Sequence, residues 1–134
     1  MTTFTPLELE YLASQRLGRL ATVDAKHAPQ NSPVGFTIGD DATVAISGFD
    51  LGNTRKFHNV EGNDRVALVV DDIVSFDPWQ VRGIEIRGRA DTLTDAEPAQ
   101  PWLSRELIRI HPERIISWGL EAPAGGPERP DEAA

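Results

Sequence analysis

Past Gly18 the apolar residues stop recurring at helical spacing and begin to alternate with polar ones, and this change of period predicts most of the fold. Upstream of it, Thr5-Pro6-Leu7-Glu8 reads as a capping box with proline at the first helical position. A helix is therefore expected from about Pro6 to Gln15, with Leu9, Leu12 and Ala13 on one face. Strand-like runs follow at Leu17–Val23, Asn31–Ile38, Thr43–Ser47, Val66–Val70 and Val81–Ala90. Polar turns at Asp24–Pro29 and Gly39-Asp40-Asp41 separate the first three, so antiparallel hairpins are the natural pairing. Ile84–Arg89 has a period of two, one face buried and one polar, whereas Val66–Val70 is apolar throughout and is expected to be covered on both faces. Thr94–Trp102, with two prolines, reads as a connection carrying a short helix. Ile108–Pro112 and Arg114–Trp118 read as a last extended segment broken at the proline. The expected architecture is mainly β: a small barrel of antiparallel strands with peripheral helices, over residues 1–120.

Composition narrows the picture at both ends. The tail, 121–134, has three prolines, two glycines and four acids against one arginine, a composition that cannot build a core and is expected to be flexible. No cysteine is present, so disulfides, thiolate nucleophiles and Cys-based zinc sites are excluded. His27, His58 and His111 form no ligand motif, and no metal is expected. A net charge of -8 argues against a nucleic-acid partner. With no membrane-length apolar run and no basic-then-apolar leader, the expected location is cytoplasmic, without membrane contact.

Against this acidic background, Gly52–Asn59 is unusual. Asn53 reads as the N-cap of a short helix whose apolar stripe includes Phe57 and Val60. Its first turn would hold Thr54, Arg55 and Lys56, where an ordinary helix favours acids that answer the partial charge of its free N–H groups. Open donors beside fixed positive charge suit a phosphate, although a solvated helix start that pairs with an acidic surface has the same spacing.

Few other chemistries are supported. The chain has no Gly-x-Ser-x-Gly elbow, P-loop, Gly-x-Gly-x-x-Gly fingerprint or His-Glu-x-x-His. Asp40/Asp41 and Asp71/Asp72 fall where strands should end and read as turn residues rather than acid–base pairs. Trp79, Trp102 and Trp118 stand near element ends, with core or interface as the default role of each. A phosphate-type site in a protein with no nucleophile or metal of its own points to a bound phosphorylated cofactor that carries the reactivity.

Gln15–Val23, Ala28–Phe36, Arg55–Val60, Asp64–Asp72, Asp77–Gly88 and Ile108–Gly119, taken in order, resemble the pyridoxamine-phosphate-oxidase-like flavin and deazaflavin oxidoreductases over about residues 7 to 120. Within them the chain looks most like the actinobacterial branch dependent on coenzyme F420, the branch that includes a dehydrotetracycline reductase. The resemblance implies a split, FMN-binding-like β-barrel and a homodimer with cofactor sites at the subunit interface. It implies F420, or alternatively FMN, with Gln30, Asn31, Ser32, Pro33 and Val34 along the ring. Thr54, Arg55, Lys56 and Asn59 would lie at the phosphate, and Trp79 and Arg82 would come from the partner subunit. Gly35 stands where some relatives carry a polar or aromatic residue. The implied activity is hydride transfer from the reduced deazaflavin to an electron-poor double bond of a small molecule, with no catalytic acid assigned. An FMN-dependent oxidase or reductase, or a non-catalytic flavin, deazaflavin or haem carrier, are the other roles of this fold.

Overall fold

The six strands close on themselves because every one of them turns an alternating apolar row inward. The computed structural model describes residues 2–120, and the expectation for the tail lies outside them. Helix α1 (Pro6–Ser14) leads into β1 (Leu17–Val23), β2 (Pro29–Ile38) and β3 (Val44–Ser47). A 3-10 turn at Leu51–Asn53 and helix α2 (Arg55–Gly62) precede β4 (Arg65–Phe76), β5 (Trp79–Leu93) and β6 (Leu107–Trp118). All neighbours pair antiparallel, in the closed order β1-β2-β3-β6-β5-β4. Leu20, Val44, Ile46, Leu68, Val70, Ile84, Ile86, Ile108 and Ile110 fill the interior and are fully buried. Burying one such side chain is worth ~1.5–3 kcal/mol, so the interior is the main source of stability.

The capping box forms as expected. The Thr5 hydroxyl accepts from the Glu8 N–H at 3.1 Å, and the Glu8 carboxylate accepts from the Thr5 N–H at 2.9 Å. The other oxygen of Glu8 accepts from the Ser117 hydroxyl at 2.8 Å, which pins α1 to the end of β6.

Four expectations need correction. β4 and β5 run well past Val70 and start before Val81, so Asp71 and Asp72 lie inside a strand rather than at its end. The charges are tolerated there because Arg19 pairs with Asp71 and Arg82 with Asp72. Val66–Val70 is covered on one face only: Val66, Leu68 and Val70 are buried, while Ala67 and Val69 remain half-buried outside the barrel. The Thr94–Trp102 connection consists of bends and turns without a helix. Pro112 does not break β6; the register shifts there, with Arg87 opposite Arg114 and Gly88 opposite Pro112, so a bulge absorbs the missing N–H.

Candidate functional site

Helix α2 begins one residue later than its sequence suggests. Thr54, not Asn53, is the N-cap: its hydroxyl accepts from the Phe57 N–H at 3.4 Å and donates to the Leu51 carbonyl at 2.6 Å. Asn53 ends the 3-10 turn instead, donating its side-chain amide to Asp50 at 3.0 Å. Either residue type can cap, and the turn selects the one whose hydroxyl reaches back to Leu51.

The donors of this corner can be counted. Leu51 and Gly52 N–H bond to the Ser104 hydroxyl and the Glu106 carboxylate, and Asn53 and Thr54 N–H to the carbonyls of Asp50 and Leu51. Phe57 is capped and His58 N–H reaches the Thr54 carbonyl. That leaves the N–H groups of Arg55 and Lys56, the first two helical residues, without an acceptor among the described residues. The first turn contains no acid, Arg55 is exposed and Lys56 half-buried, so two cations surround two open donors. The Ala28 and Lys26 N–H groups hold the Asp24 carboxyl below the usual range, with a smaller contribution from the Arg55 charge.

A buried chain of hydrogen bonds ties α2 to β2. Asn59, 5% exposed, donates to the Thr22 hydroxyl at 3.1 Å, and that hydroxyl donates to the Gln30 side-chain oxygen at 3.1 Å. Thr22 lies opposite Gln30 and is itself fully buried. Strand alternation divides the Gln30–Val34 stretch: Gln30, Ser32 and Val34 face inward, and Asn31 and Pro33 are exposed on the outer face. The Ser32 hydroxyl oxygen is buried with no partner among the described residues.

Trp79 and Arg82 sit elsewhere on this chain. Trp79 lies against Phe76 at the tip of the β4–β5 hairpin and is 63% exposed, while α2 joins the opposite end of β4, ~35 Å away along the strand. Arg82 makes a two-pronged contact with Asp72 at 2.8 and 3.1 Å and stacks 5.0 Å from the centre of the Tyr11 ring. The Tyr11 hydroxyl donates to the same carboxylate at 2.9 Å. Arg82 and then the Tyr11 hydroxyl hold the Asp72 carboxyl below its ordinary range, whereas burial and Asp72 push the Tyr11 phenol up. The Arg82 charge is thus already paired within this chain.

One further feature has no counterpart in the sequence reading. A groove of about 1250 Å³ lies between α1, the outer face of β2–β3 and the 94–107 connection. On β2 its lining starts at Gly35, one residue past the Gln30–Val34 stretch, and it also includes Gly48 and Phe49, just ahead of the 3-10 turn. Leu17, Phe49 and Trp102 line it while exposed at 60%, 78% and 60%. Among the described residues, no His, Asp or Glu cluster could hold a metal ion, and no helix is long and apolar enough to cross a membrane.

The family model for pyridoxamine 5'-phosphate oxidase matches residues 4–133. The chain is 49% identical, over 120 residues, to the 5a,11a-dehydrotetracycline/5a,11a-dehydrooxytetracycline reductase of Streptomyces rimosus subsp. rimosus. That match covers 88% of this chain and 84% of the relative. Among solved structures, it is similar to a conserved hypothetical protein of Mycobacterium tuberculosis, with TM-score 0.71, 18% identity, and 92% and 94% of the two chains covered. It is also similar to HutZ, the heme storage protein of Vibrio cholerae, with TM-score 0.62, 16% identity, and 86% and 94% covered. At these identities the two structures speak to the fold alone.

Proposed function

We propose, since the chain belongs to the pyridoxamine 5'-phosphate oxidase family, that it is an oxidoreductase, and specifically a reductase that works with the deazaflavin F420 on a small, electron-poor organic substrate. The relative's name supports reductase chemistry on a fused-ring compound. The observation that carries the cofactor half is the start of α2, where two open N–H groups and two cations meet without an acid in the turn.

The residues present fit a phosphorylated cofactor. Arg55 and Lys56 would hold its phosphate through charge and through their backbone N–H groups, with Thr54 fixing the turn. The Asn59–Thr22–Gln30 chain sets the distance between that turn and β2, and it locks the Gln30 amide by occupying its oxygen. Asn31 and Pro33 on the outer face, with the unpartnered Ser32 hydroxyl behind them, form the edge along which a ring system would lie. When bound, reduced F420 supplies the hydride; the chain supplies orientation and shields the substrate from water. The groove beginning at Gly35 is the substrate space, its apolar walls formed by Leu17, Phe49 and Trp102. FMN is the alternative occupant, because the contacts at α2 recognise a phosphate and both cofactors carry one.

The working unit in this reading is a homodimer. Ile73, Val74, Phe76 and Trp79 leave an exposed apolar patch at the end of the β4–β5 hairpin, which a second copy would cover. This would bring Trp79 to the partner's cofactor, with Arg82 as its anchor through Asp72. Titration with oxidised F420 and, separately, with FMN, read by fluorescence quenching, tests the assignment. F420 should bind at least about tenfold more tightly. The reverse order would make the protein an FMN enzyme.

A further inference from the structure

We infer that Gly35 is a specificity-determining residue, kept free of a side chain so that a planar, multi-ring, oxygen-bearing substrate can lie flat on the outer face of β2–β3. The inference rests on the reductase reading of the same groove. Glycine in the middle of a strand costs stability and normally marks a bulge or a close backbone approach. Neither is seen here: β2 pairs with β1 up to Gly35 and with β3 from Gly35 onward, without a register shift in either ladder, and a Cβ built there would meet no atom within 4 Å. Neither a bulge nor a crowding neighbour therefore demands glycine at this position.

What the missing side chain provides is a floor. Ser47 lies directly opposite Gly35, and Ala45 opposite Thr37, so four small residues occupy adjacent positions on one sheet face. Large apolar side chains rise around them. Leu17 stands across from Gly35 on β1, Leu9 comes from α1, and Phe49 and Trp102 come from the two connections. A low floor with high aliphatic and aromatic walls fits a flat ring system by stacking and edge contact. The volume, about 1250 Å³, is well beyond what a single ring fills. Gln15, Arg16 and Gln100, among its lining residues, carry donors for ring oxygens. The floor continues the outer row Asn31, Pro33, so a substrate on Gly35 would adjoin the cofactor edge.

Equilibrium dialysis of 5a,11a-dehydrotetracycline against wild type, Gly35→Val, Gly35→Phe and Trp102→Ala tests this, with F420 affinity and Tm measured on each. Wild type should bind, and binding should weaken progressively from Val to Phe, reaching about tenfold or more for Phe. Trp102→Ala should weaken it about threefold or more, while F420 affinity stays within about twofold in all three variants. Should Gly35→Phe fail to fold, Gly35→Val and Trp102→Ala decide the matter. Binding unchanged in the variants, no binding by wild type, or a parallel loss of F420 affinity would overturn the assignment. Graded binding across wild type and variants, with no hydride passing from reduced F420 to the ligand bound by wild type, would instead refute the reductase reading and leave the role of Gly35 standing.

Discussion

Replacing Lys56 by glutamate should move cofactor affinity and cofactor-free stability in opposite directions, a signature that a purely structural lysine would not give. Lys56 is the second residue of α2, whose first turn has no acid. A cation beside free N–H groups opposes the helix dipole and an anion completes it, each effect being worth ~0.3–1 kcal/mol at low salt. Charge reversal removes the first and installs the second, so the free protein should gain roughly 0.6–2 kcal/mol and a few degrees in Tm. With a phosphate bound the sign inverts. A charge-assisted contact of about 1.5–3 kcal/mol is lost and repulsion is added, so Kd should rise about tenfold to a hundredfold or more. Lys56→Gln should fall between wild type and Lys56→Glu on both axes. Thermal melts without cofactor and quenching titrations with F420 measure the two effects, and both should shrink at about 0.5 M salt. Unchanged affinity in Lys56→Glu would refute the phosphate assignment and return the turn to a solvated helix start. Affinity and Tm falling together would show that Lys56 holds the fold rather than the ligand.

Three other outcomes follow from the geometry. Asp72→Asn should lower Tm at neutral pH by the equivalent of about 1 kcal/mol or less, because the pair with Arg82 is a third exposed. The folded carboxyl titrates below its unfolded value of about 3.9, so its contribution is present above that pH and is lost as pH falls through the folded pKa. The variant's stability should therefore decline less steeply on acidification below about pH 4, and parallel acid limbs would contradict the pairing. Gly88→Ala should destabilise by a few kcal/mol, since its Cβ would collide with the His111 carbonyl at the β5–β6 bulge; an unchanged denaturation midpoint would refute that register. Light scattering at micromolar concentration should give twice the 14.7 kDa chain mass, and a monomer in the presence of cofactor would rule out a shared site.

Features that depend on neighbours in sequence were legible, and those made by distant contacts were not. The capping box at Thr5 and Glu8 could be read because both halves fall within one helical turn. The alternating rows of β1, β2 and β5 likewise indicate their own inner faces. The length of β4 could not be read, because Asp71 and Asp72 look like strand ends until Arg19 and Arg82, from other strands, supply their partners. At α2 the sequence reading places the cap on Asn53, and the 3-10 turn before the helix, which no local pattern signals, moves it to Thr54. Within the candidate site, Arg55 and Lys56 stood out because their charge contradicts helix preference. Thr22 gave no signal: its bond to Asn59 spans 37 residues. The groove was equally silent, being assembled from α1, β2–β3 and the 94–107 connection.

The measurement closest to the central claim is anaerobic single turnover: protein loaded with reduced F420, mixed with 5a,11a-dehydrotetracycline, and followed by the return of oxidised deazaflavin absorbance near ~420 nm. The account predicts recovery of that band only when substrate is present, at one equivalent of product per cofactor oxidised, and with reduced FMN unable to substitute. Oxidation of reduced FMN but not of reduced F420, or no oxidation of either by any multi-ring acceptor that binds the groove, would contradict it.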